Sequence, residues 1–169
     1  MRLSDEFGVV LEVTIPAPPQ RVWELVTDIS TSPRFSPELQ RTEWLQDAEG
    51  PAVGAHFAGH NARPDGQQWQ TVNRITELTP NERFGWSVLP DIATAQGDAF
   101  ANWYYELTPE GTGTRLRHGM RLGNLRTPLH KYVEANPDQE EMLVDARLAS
   151  LHDGIEAVLK GIATEATRS

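Results

Sequence analysis

The sequence contains no cysteine, which excludes disulfides, thiolate nucleophiles and cysteine-ligated zinc together. No apolar run approaches the roughly 18 residues that a membrane-spanning helix needs. Residues Met1 to Glu6 lack the charged-then-apolar pattern of an export signal. A cytoplasmic chain without a membrane span is therefore expected. Positive charge is scarce as well: 15 Lys and Arg against 24 Asp and Glu leave a net charge of −9. Such a chain repels a phosphate backbone, and no Lys/Arg run compensates, so nucleic acid is not an expected partner. The nucleophile elbow Gly-x-Ser-x-Gly, a phosphate-cradling glycine loop and a dinucleotide fingerprint are all missing. Hydrolase, kinase and dehydrogenase readings lose their support with them, and no cofactor is expected. The oligomeric state has no signature in the sequence.

What the sequence does have is 38% hydrophobic and 23% charged residues, with aromatic side chains spread along 169 positions. That length suits one domain, here residues 1–169, with a core large enough to enclose a cavity. Phe7, Val9, Leu11, Val13 and Ile15 recur at every second position on one face, the period of a half-buried strand. Pro16 ends it, and Pro18 and Pro19 sit where a helix begins, since amides of a first turn need no partner. Val22, Leu25, Val26 and Ile29 then follow at helical spacing, and one more helical turn is expected around Arg34 and Phe35.

Six strands are predicted over 39–47, 54–63, 67–79, 82–90, 98–108 and 113–123, punctuated by Gly50-Pro51, Pro64-Asp65-Gly66, Pro80-Asn81 and Pro109-Glu110-Gly111. Connections this short imply antiparallel neighbours. Leu129 to Ala135 reads as a lead-in turn or helix. The last element is a long helix: Asn136 is its expected cap, Pro137 its first position and Gln139 its capping-box residue. Leu148, Leu151, Ile155, Val158 and Ile162 form its apolar stripe.

This element order, together with Pro16-Ala17-Pro18-Pro19-Gln20-Arg21-Val22-Trp23 and Thr27-Asp28, resembles the START-like helix-grip superfamily (SRPBCC), in its polyketide cyclase/dehydrase and lipid-transport branch. Ser36-Pro37, Gly54-Ala55-His56-Phe57 and Trp69-Gln70-Thr71 add to the likeness, as do Trp103-Tyr104-Tyr105-Glu106-Leu107 and Gly113-Thr114-Arg115-Leu116. Members often carry Trp before the Ser-Pro pair, where this chain has Phe35. The resemblance implies an α+β, Bet v 1-like fold. In it a curved seven-stranded antiparallel sheet, with two short helices after its first strand, wraps around a long C-terminal helix. Between sheet and helix it implies a cavity for a small hydrophobic molecule.

Side-chain parity gives that cavity walls. With Leu107 and Leu116 inward, Trp103 and Tyr105 share one strand face, and His118, Met120 and Leu122 the next. The same rule groups Trp69, Thr71, Asn73 and Ile75, then Phe84, Trp86 and Val88, then Phe57, Gly59 and Asn61. The candidate ligand-binding residues are therefore Phe57, Asn61, Trp69, Thr71, Asn73, Phe84, Trp86, Trp103, Tyr105, His118 and Met120, closed by Leu148, Leu151 and Ile155 of the helix. The aromatics also suit plain core packing, and both readings stand. His118, flanked by Leu116 and Met120, needs a hydrogen-bond partner: buried polar groups such as Asn73 or Tyr105, or the polar part of a ligand. Arg74 has the opposite parity and points outward unless a bulge intervenes.

Three functions fit: a binding protein for a lipid or polyketide-like metabolite, a polyketide aromatase/cyclase working in the same cavity, and an interaction module with a vestigial cavity. In the second, His118 is the candidate general acid/base, with Tyr105 or Asn73 as donor to a developing enolate or alkoxide oxygen. Binding is the preferred reading. An enclosed or cleft-like void on the order of 300 Å³ or more, bounded by the long helix and containing His118, is expected. No metal site is expected, because His56 and His60, four apart on a strand, lie roughly 13 Å from one another.

Overall fold

Proline placement and side-chain alternation set most of the element boundaries. The computed structural model describes residues 1–168. Strand β1 (Gly8–Ile15) ends at Pro16, and α1 (Pro19–Thr27) starts on a proline, as predicted. Asp28 turns the chain after α1, its Oδ1 accepting from the Ser30 amide at 3.0 Å, and a 3₁₀ turn covers Ser32–Arg34. Strands β2 (Leu39–Trp44), β3 (His56–Ala62), β4 (Gln68–Thr79), β5 (Arg83–Leu89), β6 (Ala101–Glu110) and β7 (Gly113–Leu122) follow, then α2 (Pro128–Ala135) and α3 (Glu140–Ala166).

The seven strands form one antiparallel sheet in the order β1-β7-β6-β5-β4-β3-β2. β1 closes against β7, the last strand, so that α3 emerges from the sheet's β7 side and returns across its face. The sheet curves around α3, and this is the helix-grip, Bet v 1-like architecture. At 27 residues, α3 is about 40 Å long, enough to cross the whole sheet.

Several boundaries differ from expectation. β6 runs Ala101–Glu110 rather than 98–108 and takes in Pro109, which was expected in the turn. β2 stops at Trp44 rather than residue 47, because Gln46 and Asp47 take positive φ and leave the extended region. Asn136 does not cap the long helix. Its amide donates to the carbonyls of Tyr132 and Val133, which closes α2, and Pro137–Gln139 forms a 3₁₀ turn before α3 begins at Glu140. Gln139 is the residue preceding the helix and makes no capping hydrogen bond there.

The core lies on the concave side. Ile15, Ile75, Phe84, Leu107 and Leu116 meet Val22 and Val26 of α1 and Ile155, Val158, Leu159 and Ile162 of α3. A second cluster joins Phe7, Met120, Val144 and Leu151 under the N-terminal half of α3. Near the other end of α3, the Phe35 ring lies so close to Gly161 that any Cβ there would overlap it. Glycine at that position is what lets the ring seat on the helix.

Candidate functional site

Register determines which side chains share the concave face. Leu11, His118, Tyr105 and Phe84 form one row across β1, β7, β6 and β5. Met120, Trp103, Trp86 and Ile75 form the next. Further along, Val88 pairs with Asn73, Asn73 with Phe57, Thr71 with Gly59, and Trp69 with Asn61. The sheet therefore brings every strand residue predicted for the lining onto one face, and Leu148, Leu151 and Ile155 of α3 lie over it. Thr42 and Leu39 extend that face onto β2, opposite Gly59 and Asn61.

The face is not uniform. Towards α1 it is sealed: Ile15, Ile75, Leu116 and Phe84 are buried, and Tyr105 is only 1% exposed. Towards the β3–β4 hairpin and the N-terminal half of α3, Leu39, Asn61, Trp69, Thr71, Trp86, Val88, Trp103 and Leu148 all stay half-buried. The open half is floored by aromatic rings, with Trp86 and Trp103 stacked at 6.2 Å and 5°. Phe57 meets Trp86 edge-on at 6.3 Å.

His118 sits at the border, 4% exposed. Its ring stacks on Tyr105 with centroids 3.9 Å apart. Its hydrogen-bond partner is neither Asn73 nor Tyr105 through the hydroxyl, as the sequence led us to expect, but a backbone group: Nδ1–H donates to the Tyr104 carbonyl at 2.9 Å. Tyr104 is on the strand paired with β7, one residue from the stacked Tyr105 ring, which brings its carbonyl within reach of the imidazole. Burial holds the imidazole's pKa down, to about 4, with the carbonyl bond opposing weakly. The ring is therefore neutral at pH 7 and Nε2 carries a lone pair. Nε2 makes no hydrogen bond, and among the described residues no fully sealed side-chain nitrogen or oxygen lacks a partner, so Nε2 keeps contact with the concave space. Burial likewise pushes the Tyr105 phenol up to about 12, and its hydroxyl bonds Ser32 Oγ at 2.9 Å. Asn73 donates from Nδ2 to the Phe57 carbonyl and to Thr71 Oγ1, which leaves Oδ1 as its free acceptor.

Arg74 points to the convex face, as its parity predicts. The sheet's irregularity in this strand falls between Ile75 and Glu77, after Arg74, and does not reverse it. There the guanidinium donates to His56 Nε2 and to the Thr94 carbonyl, fixing the loop between β5 and β6.

Sequence reasoning missed a polar cluster at the rim of the open half. Glu38, just before β2, accepts from Arg147 at 3.1 Å and from Ser150 Oγ at 3.1 Å, both on α3. Arg63, from the β3–β4 hairpin, approaches the same carboxylate at 3.8 Å and lies over the Trp69 ring at 4.7 Å. Between this cluster and the Phe35–Gly161 contact, no atom lies within 4 Å of a Cβ placed on Gly154, so the helix stands clear there. The available signal was the flank of α3 carrying Arg147, Ser150, Gly154 and Gly161 at helical spacing, beside the apolar stripe.

The expected void around His118 is corrected by this packing. Two clefts lie elsewhere: about 780 Å³ between Pro18–Gln20 and the Glu77–Arg83 turn, and about 310 Å³ between the end of α1 and Gly50-Pro51. Neither includes His118. The rings of Trp86, Trp103 and Tyr105 pack around His118 instead, and the half-buried side chains of the open half bound the concave face beyond them.

The family described as polyketide cyclase/dehydrase and lipid transport matches residues 6–153. The fold is similar to a polyketide-cyclase-like protein from Corynebacterium glutamicum, at 29% identity over 92% of this chain and 88% of that one, TM-score 0.63. It is also similar to major latex-like protein 151 of Panax ginseng, at 11% identity over 96% and 98%, TM-score 0.64. A di-domain ARO/CYC protein of the steffimycin biosynthetic pathway matches at 15% identity, TM-score 0.65, over 94% of this chain and 50% of its own. The last two likenesses are of fold alone. No curated protein matches.

Proposed function

The chain belongs to the polyketide cyclase/dehydrase and lipid transport family, and from that premise we propose that it binds a small hydrophobic molecule, lipid or polyketide-like, in the open half of its concave face. The observation that carries this reading is the half-burial of Trp69, Trp86, Val88, Trp103 and Leu148 on a face whose other half is sealed. Contiguous apolar surface left partly wet inside a curved sheet is what a guest would cover. Phe57, Thr71, Asn73 and Met120 complete the contact surface, with Asn61 at its hairpin end. Leu151 and Ile155 hold α3 in place above it. Phe84 and Tyr105 support the floor from the sealed half. His118 Nε2 and Asn73 Oδ1 are acceptors for a donor on the guest. The test is a titration with Nile red, a neutral apolar dye, followed by emission shift and by tryptophan quenching. Saturable binding is expected, and Leu148→Arg, which places a charged head in the groove from an otherwise undisturbed helix, should abolish it while circular dichroism is unchanged. A dye that stays in water, or one indifferent to Leu148→Arg, would end this reading.

A cyclase reading of the same groove draws on one further observation, the unpaired Nε2 of His118. A base with a pKa near 4 is weak at neutral pH, so binding stands first. Product detection by mass spectrometry after incubation with a poly-β-ketone thioester, comparing wild type with His118→Ala, separates the two: turnover that depends on His118 would favour the enzyme.

A further inference from the structure

The rim cluster indicates what kind of guest the groove takes. Two guanidiniums, Arg63 and Arg147, share the single carboxylate of Glu38, so this three-residue cluster holds two positive charges against one negative on a chain whose net charge is −9. Arg147 spends one nitrogen, Nη1, on Glu38 and makes no other hydrogen bond among the described residues. Arg63 spends Nη1 on Gln67 Oε1. Asp65, the other acid of the hairpin, is turned to the Gln67 amide at 2.9 Å. Several donors in fork geometry therefore remain unused where α3 faces the hairpin.

Their placement relative to the groove is specific. Arg63 covers the ring of Trp69, which lies inward beside Asn61. Glu38, ahead of the edge strand, meets Arg147 and Ser150 of α3 and Arg63 of the hairpin, so the cluster spans from the helix to the sheet's β2 edge. Deeper in, the polar groups are neutral and present acceptors, His118 Nε2 and Asn73 Oδ1. A carboxylate placed there would face lone pairs without a counter-charge, at high cost. The charge pattern thus orients an amphiphile one way only, with its anion outward.

We propose that the guest is a monocarboxylate with an apolar body, its tail on Trp69, Trp86 and Trp103 and its carboxylate bridging Arg63 and Arg147 in partial exchange for Glu38. This deepens the binding reading above and rests on it. The experiment is displacement of Nile red by decanoate, decanol and decylammonium at pH 7.5. Decanoate should bind at least tenfold more tightly than decanol, and decylammonium more weakly than either. In Arg63→Gln/Arg147→Gln the ratio of decanoate to decanol affinity should fall to about one. Glu38→Gln, which frees both guanidiniums, should tighten decanoate severalfold and leave decanol unchanged. Raising salt should weaken decanoate alone. Equal affinities for acid and alcohol, a preference that survives the double substitution, or no displacement by any of the three while Nile red binds would each overturn the carboxylate proposal and spare the groove. Failure of Nile red itself to bind would instead overturn the groove and the carboxylate together.

Discussion

The two halves of the concave face are built by the same alternation and end in different states. In the half nearer α1, Phe84, Tyr105, Leu107 and Leu116 are covered from two sides, by α1 and by the C-terminal half of α3. In the other half, Trp103 meets Leu148 and Leu151 of the N-terminal half of α3, and Trp69, Trp86 and Trp103 remain partly wet. The difference teaches that here a second covering helix, rather than side-chain type, separates core from binding surface. Aromatic residues serve both purposes on adjacent positions of the same strands.

Substitutions should divide along that line. Phe84→Ala, in the sealed half, is expected to cost about 3–5 kcal/mol of stability by chemical denaturation, as for other buried aromatic truncations, without a direct effect on dye affinity. A loss under about 1 kcal/mol would mean that the sealed half already contains a void. Second in size is the acid response of His118 at the border. Its native pKa near 4 lies below the ~6.5 of an unfolded imidazole. As pH falls from about 6.5 to 4, the unfolded chain takes the proton and the native state does not, so stability declines through that window and is unaffected above it. The full span is on the order of 3 kcal/mol. Compared with wild type, His118→Phe should show a shallower acid limb in melting temperature against pH, while His56 and His130, present in both proteins, cancel.

Third, Gly161→Ala should cost about 1–3 kcal/mol by driving a methyl group into the Phe35 ring. Phe35→Ala in the same chain should recover part of that loss, and strict additivity of the two changes would show that the contact does not couple them. The smallest stability effect is expected at the rim. Trp69→Ala should change stability by about 1 kcal/mol or less yet lower Nile red affinity severalfold. A large stability loss there would erase the distinction between the halves.

How much was legible beforehand follows from how local each feature is. Strand parity is a property of consecutive residues, and it placed Trp103, Tyr105, His118 and Met120 correctly before any pairing was known. Arg74 was read outward for the same reason. The start of α3 was misread because Asn136 and Pro137 carry good capping chemistry, yet they open a 3₁₀ turn over Pro137–Gln139 that stands between α2 and α3. The partner of His118 was missed because a backbone carbonyl leaves no mark on residue type. Glu38 and Arg147, 109 positions apart, could not be joined without knowing how α3 crosses the sheet.

The sequence by itself determined the order of elements, the antiparallel sheet, the long closing helix and the inward set of side chains. Each follows from periodicity, proline and turn chemistry acting over a few residues. Only the tertiary structure decided which inward residues are sealed and which stay wet, which group satisfies His118, and that two arginines meet one glutamate at the groove's rim. Those outcomes depend on where α1 and α3 come to rest, and that position is set by packing among residues far apart in the chain.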